Sequence, residues 1–152
     1  MPVIIDVTHV NFGLKSDTLD PAKITSVLGL EPVRAWKKDD PFTSKTGVHR
    51  RPWGIWAISS HVEIVSEDPK LHLRWLHERL ERRAEALADI RRQMTATANI
   101  KVRWNTNASI DGYSLDSFLV AQLCPLCDRF DMTFCYKCTP EESHEGEQVR
   151  GT

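Results

Sequence analysis

Every cysteine of the chain falls between positions 124 and 138, as Cys124-Pro125-Leu126-Cys127 and Cys135-Tyr136-Lys137-Cys138. Two C-x-x-C pairs are the usual form of a four-cysteine zinc site, because each pair makes a tight knuckle that directs two thiolates at one tetrahedral ion about 2.3 Å from each sulfur. The stretch between the pairs argues the other way. Phe130, Met132, Phe134 and Tyr136 alternate with Arg129, Asp131, Thr133 and Cys135, which reads as a last strand with one apolar face. At about 3.3 Å per residue, an extended path from Cys127 to Cys135 covers roughly 26 Å, far beyond one coordination sphere. Three arrangements stay open: a tight hairpin of residues 128–134 around zinc, a strand with the pairs at its opposite ends, or a two-chain site in which symmetry joins one pair from each protomer. A structural zinc is the one cofactor this pattern allows. A redox role fits less well, since Cys124-Pro125-Leu126-Cys127 follows a helix and lacks the N-terminal dipole that lowers a thiol's pKa. The plain alternative is a set of small, half-buried free thiols.

A second constellation is Arg34, Lys37, Lys38, Lys45, His49, Arg50 and Arg51 beside Trp36, Trp53 and Trp56. Cations interleaved with tryptophan can hold phosphate and stack bases, so RNA or a nucleotide is one class of ligand. Asp39 and Asp40 dilute that charge, and a solvated loop between core tryptophans explains the same residues. A protein partner docking on an exposed, aromatic-flanked loop is the leading reading. The histidines offer little: His72 and His77 point about 140° apart on an ideal helix and cannot share a metal, and both are expected in solvent. Ser60 and His61, neighbours on an expected strand, should face opposite ways. No glycine-rich phosphate loop, H-E-x-x-H or G-x-S-x-G elbow is present, so the chain reads as a binding module rather than an enzyme.

The elements that must position these residues follow from punctuation and period. Val3–Phe12 reads as a strand ending at Gly13. Asp20-Pro21 opens and Gly29 closes a short helix lined by Ile24, Val27 and Leu28. Val33–Lys37 is a short strand, and Lys38–Pro52 a long aperiodic loop. Trp53–Val65 resumes strand character, with Trp56, Ile58, Val62, Ile64 and Val65 as packing residues. Asp68-Pro69 opens a long helix over 70–94, with Leu73, Leu76, Leu80, Leu87, Ile90 and Met94 inward and Glu78, Arg82, Glu85 and Arg92 outward. Ile100, Val102 and Trp104 mark a half-buried strand, residues 105–112 its turn, and Ser114 the cap of a third helix through Leu115, Phe118, Leu119 and Leu123.

The connected pattern Leu19-Asp20-Pro21, Ile24-Thr25, Leu28-Gly29-Leu30-Glu31-Pro32, Arg34-Ala35-Trp36-Lys37-Lys38, then Trp53-Gly54-Ile55-Trp56 and Ser59-Ser60, resembles the bacterial family of domains of unknown function number 4279. It continues through His77, Leu80, Gly112-Tyr113-Ser114-Leu115 and the closing strand, about residues 3 to 136. Asp39-Asp40 and the cysteine pairs depart from it. The resemblance implies a stand-alone cytoplasmic domain and supplies no activity.

A length of 152 residues fits one domain over 1–138, followed by an acidic tail at 139–152 expected to be disordered. The net charge of −1 argues against a dedicated nucleic-acid binder. No signal-peptide pattern and no membrane-length apolar run is present, so a cytoplasmic, reducing setting is expected. The order of elements favours an α+β fold, a mostly antiparallel sheet with helices on one face in a ferredoxin-like variant. The expected partner is a protein, of antitoxin or immunity type, with a homodimer also open.

Overall fold

Residues 7–106 and 114–136 are described by the computed structural model of the chain. In chain order the elements are β1 (His9–Ser16), α1 (Pro21–Leu28), β2 (Arg34–Trp36), β3 (Pro41–Ser44), β4 (Gly47–Arg50), β5 (Gly54–Ser59), α2 (Pro69–Leu80), α3 (Ala84–Gln93), β6 (Thr97–Thr106), α4 (Ser117–Leu123) and β7 (Arg129–Tyr136). Five strands form one sheet in the order β2-β5-β1-β6-β7, and β3-β4 stand apart as a two-stranded sheet. Pairings within the large sheet are antiparallel except β6 with β7, which are joined through α4 and run parallel. The architecture is therefore α+β, with a mixed and mostly antiparallel sheet.

Alternation along the strands sorts side chains between two faces. Val10, Phe12 and Leu14 of β1, Trp56 and Ile58 of β5, and Ala98, Ile100 and Val102 of β6 are buried in one cluster with Ile24, Leu73, Leu76, Leu80, Leu87, Ile90, Leu119 and Leu123 from the helices. Phe12 sits level with Ile58 on one side and Ile100 on the other. Each of the Val, Leu, Ile and Phe side chains among them contributes about 1.5–3 kcal/mol by leaving water. On the opposite face, Asn11, Gly13, Lys15, Asn99 and Lys101 lie half-buried or exposed.

The punctuation of α1 reads as expected: Asp20 accepts from the Lys23 N–H at 3.4 Å, and Gly29 closes the helix at φ 64°. Several other expectations need correction. Residues 1–6 lie outside the described residues, and β1 runs on through Gly13 to Ser16, because that glycine sits mid-sheet opposite Ala57 and Asn99. The expected loop 38–52 contains the β3-β4 hairpin. The strand after Trp53 ends at Ser59 and turns into a single 3-10 turn, Ser60–Val62, leaving Val62 and Val65 exposed. The expected single helix over 70–94 breaks at Glu81–Arg83, where the Arg83 side chain donates to the Leu28 carbonyl at 2.5 Å and the Arg79 carbonyl at 2.6 Å. Its six apolar positions are nonetheless all buried. The third helix is capped by Asp116, two residues after Ser114, through the Phe118 N–H at 2.9 Å, and Phe118 faces outward. Of the expected turn, Asn105 and Thr106 belong to β6, and the remainder, like the 139–152 tail, lies outside the described residues.

Candidate functional site

The β3-β4 hairpin is an exposed arm held by its own side chains. Isolated two-stranded hairpins are marginal in water, so something beyond the ladder must support it. The Arg51 guanidinium lies between two rings, 3.9 Å from the centroid of Trp36 and 4.1 Å from that of Phe42. Phe42 meets the His49 ring at 5.5 Å, and His49 pairs with the Thr46 hydroxyl at 2.7 Å. Below the hairpin the ladder continues, with Asp39 N–H donating to the Arg51 carbonyl and Arg51 N–H to the Asp40 carbonyl. Asp39 adopts φ 68°, a left-handed conformation that aspartate tolerates better than most residues.

This arrangement engages most of the basic residues singled out by sequence. Lys37 lies 3.9 Å from Asp20, Lys38 lies 3.6 Å from Asp17, and Arg50 donates to the Asp39 carbonyl. Trp36 is half-buried in the sandwich, and Lys45 is exposed. Val48 projects from the arm at 74% exposure. Arg34 and Trp53 belong elsewhere, on the open face of the large sheet.

On that face, strand pairing assembles a cluster that linear spacing does not reveal. Arg34 of β2 is level with Ala57, Ala57 with Gly13, and Gly13 with Asn99. Gly13 and Ala57 make a low floor for a trough of about 250 Å³, walled by Asn11, Lys15, Arg34, Trp53, Asn99 and Lys101. Lys15 lies over the Trp53 ring at 3.5 Å. Among the described residues none of Lys15, Arg34 and Lys101 has a carboxylate partner.

Cys124, Cys127 and Cys135 lie along the other edge of the sheet. Cys124–Leu126 form a 3-10 turn in which Cys127 N–H donates to the Cys124 carbonyl at 3.3 Å. Asp128 fastens this turn: its N–H donates to the Ala98 carbonyl, its carboxylate accepts from the Ala98 N–H, both at 2.8 Å, and Arg91 bridges to it at 2.7 Å. The Nε–H of Arg91 is buried without an acceptor among the described residues. Burial, and then the neighbouring Cys124, pushes the Cys127 thiol above its ordinary range. Residues 129–136 are strand, so Cys135 stands at the far end of β7, and of the three arrangements the tight hairpin is not the one adopted. Cys138 lies outside the described residues. Among the described residues no three His, Cys, Asp or Glu side chains converge on a common point.

A histidine–serine network was missed by sequence reasoning. His72 is fully buried, not solvated. Its Nδ1 meets Ser60 Oγ at 2.7 Å and its Nε2 meets the Ser66 carbonyl at 2.9 Å. A carbonyl only accepts, so Nε2 carries the proton and Ser60 donates to Nδ1. Ser60 Oγ in turn accepts from the Val10 N–H at 2.8 Å. The signal was available: His72 stands four residues before Leu76 and eight before Leu80, on the same buried stripe. Ser60 and His61 do not bond each other; His61 pairs with Ser59 at 2.6 Å and packs edge-on against His9 at 6.0 Å. Burial holds both His9 and His61 below the usual histidine pKa. Ser59 is buried at the wall of a pocket of about 410 Å³. His61 also lines a pocket of about 360 Å³ with Val7, Thr8, Ile64, Val65 and Asn105.

Among the described residues no helix is long and apolar enough to cross a membrane. Comparison with curated proteins and with solved structures yields no match. The family model described as Domain of unknown function (DUF4279) matches residues 6–124, and the chain belongs to that family.

Proposed function

We propose that this chain is a small binding module that docks a protein partner through the β3-β4 arm. The observation that carries this reading is the Arg51 sandwich between Trp36 and Phe42. It pre-organises an exposed hairpin that contributes nothing to the buried core, and pre-organisation lowers the entropic cost of association. The arm presents Val48 at its surface and carries five Lys or Arg against two Asp over 37–51. A partner with a small apolar pocket for Val48 and a carboxylate near the exposed Lys45 complements it. An antitoxin or immunity protein is one such module, and a reducing cytoplasm suits its free thiols. The finer topological reading, a ferredoxin-like variant, belongs with this proposal. It is supported by the order β2-β5-β1-β6 with every neighbour antiparallel, to which the arm and β7 are additions.

Co-purification from the native host with wild type, Val48→Asp and Arg50→Glu tests the reading. A partner recovered with wild type and lost from both variants supports docking through the arm. An unchanged set of co-purifying proteins across all three removes the arm from consideration.

A second reading, RNA or nucleotide binding, is favoured by one observation, the cations Lys15, Arg34 and Lys101 around Trp53 on the open face, which have no carboxylate partner among the described residues. It places an anionic ligand there and not on the arm, whose cations are largely engaged. Quenching of Trp53 fluorescence by nucleotide or short RNA, falling steeply with salt and abolished in the Lys15→Glu/Lys101→Glu double variant, is the expected result. No quenching at low salt disposes of this reading.

A further inference from the structure

We propose that Cys124 and Cys127 form a dithiol site that reduces small disulfides by thiol–disulfide exchange, with Cys124 as the attacking sulfur and Cys127 as the resolving one. A single turn holds the two together. Cys124–Leu126 is a 3-10 turn closed by the Cys127 N–H on the Cys124 carbonyl at 3.3 Å. Such a turn keeps the α-carbons of its first and fourth residues within about 7 Å, and a disulfide spans about 4.4–6.8 Å between α-carbons. The Cys127 side chain already lies back along the turn, its thiol meeting the Cys124 carbonyl oxygen at 3.7 Å.

The surroundings of the turn keep it in place through such a reaction. Asp128, next in the chain, is fastened to β6 by its N–H and by its carboxylate, each 2.8 Å from Ala98, and Arg91 of α3 bridges to the same carboxylate at 2.7 Å. Joining the two sulfurs therefore asks for side-chain rotation, while the backbone contacts to β6 stay as they are. Exposure assigns the order of events. Cys124 is exposed and Cys127 half-buried, so an incoming disulfide meets the Cys124 sulfur first. Cys135 cannot take the resolving part: Asp128 is fastened at Ala98, whereas Cys135 is level with Asn105, seven residues and about 23 Å further along β6.

The exchange balances in two steps. The Cys124 thiolate attacks one sulfur of the substrate, the substrate S–S bond breaks, one thiolate leaves and takes a proton from solvent, and a mixed disulfide remains on Cys124. Cys127 then gives its proton to solvent and attacks the Cys124 sulfur, the second substrate thiol departs, and a Cys124–Cys127 disulfide forms. Two electrons have passed from the protein thiols to the substrate, which leaves as two thiols. Burial, and then the charge of Cys124, raises the Cys127 thiol. The second cause vanishes once Cys124 is bonded, so Cys127 ionises more readily at the step that needs it. The turn follows α4 instead of opening it, and so lacks the helix N-terminus that stabilises the reduced form of strongly oxidising C-x-x-C pairs. The dithiol is accordingly the electron donor.

The test uses the full chain carrying Cys135→Ser/Cys138→Ser, so that only this pair reacts, reduced and then exposed to oxidised glutathione at about pH 8. Samples are quenched with acid, alkylated, and read by intact mass and peptide mapping. The pair should lose both free thiols, retain no glutathione and end about 2 Da lighter than the reduced chain. Dithiothreitol should restore both thiols. Adding Cys127→Ser should instead leave glutathione on Cys124, and adding Cys124→Ser should load Cys127 at least about tenfold more slowly. Oxidation of the pair should raise the urea midpoint or leave it unchanged, because the folded turn already brings the two residues together. Glutathione retained on the intact pair, equal rates in the two single-thiol variants, or a urea midpoint lowered by oxidation overturns the proposal.

Discussion

Replacing Ser60 by alanine should destabilise the chain far more than deletion of one small hydroxyl implies. The Ser60 Oγ accepts from the Val10 N–H at 2.8 Å and donates to His72 Nδ1 at 2.7 Å, in a place where both Ser60 and His72 are fully buried. β5 ends at Ser59, so this hydroxyl continues the β1 ladder one step past the strand and ties it to α2. Alanine removes two hydrogen bonds worth about 1 kcal/mol each and leaves a backbone N–H and a ring nitrogen unpaired, at about 1–3 kcal/mol apiece when water cannot reach them. Allowing for overlap between those terms, the expected loss is about 3 kcal/mol. With a urea slope of about 1–3 kcal/mol/M for a domain of this size, the midpoint should fall by about 1–3 M with the slope unchanged. Urea titration followed by tryptophan fluorescence reads this directly. Ser60→Ala/His72→Leu should recover part of the loss, since replacing both partners by apolar groups leaves less unsatisfied. A Ser60→Ala midpoint within about 0.3 M of wild type would refute the network as a structural tie.

Three further outcomes follow from the same geometry. Burial lowers the pKa of His9 and His61 in the folded chain, so below the ordinary value of about 6.5 the unfolded chain takes up protons that the fold resists. Stability should be flat above that pH and decline as pH falls below it, and His61→Gln should shallow the decline in urea midpoints compared at about pH 7.5 and 5.5. Arg51→Ala should unlock the arm by removing the charge between Trp36 and Phe42, so amide exchange across 41–50 should speed up at least about tenfold while global stability changes by less than about 1 kcal/mol. Gly54→Ala should cost about 1–3 kcal/mol by thermal melting, because the added Cβ would stand 2.6 Å from Leu19 Cβ and 3.0 Å from the Ser16 carbonyl oxygen, and backbone must move to admit it.

Elements whose signals are local and redundant were legible in the residues. Asp20-Pro21 with Gly29 delimits α1 because cap, proline and left-handed glycine each act within one turn. The alternation from Arg129 to Tyr136 marks β7 for the same reason. The break between α2 and α3 was not legible, because Leu80 and Leu87 keep one stripe across a single 3-10 turn and the side chain that answers the break, Arg83, bonds to the last residue of α1. His72 was read as solvated because its type outweighed its place on the buried stripe. What keeps it inside is Ser60, reached only once β5 has ended and the chain has turned toward α2.

The arm and the open face show the same limit from the functional side. Residues 38–52 lack apolar alternation, since Phe42 and Val48 are their only large apolar side chains, and a reading by period returns a loop. The hairpin instead rests on a guanidinium between rings and on turn hydroxyls, interactions that a period does not encode. Using Arg51 for that purpose, and tying Lys37, Lys38 and Arg50 to neighbouring oxygens, leaves this basic segment with little charge to offer an anion. Lys15, Arg34 and Lys101 are scattered in sequence, yet β1, β2 and β6 bring them to one trough with no carboxylate among the described residues to answer them. Charge density along the chain and charge available to a ligand are different quantities here, and the sheet register separates them.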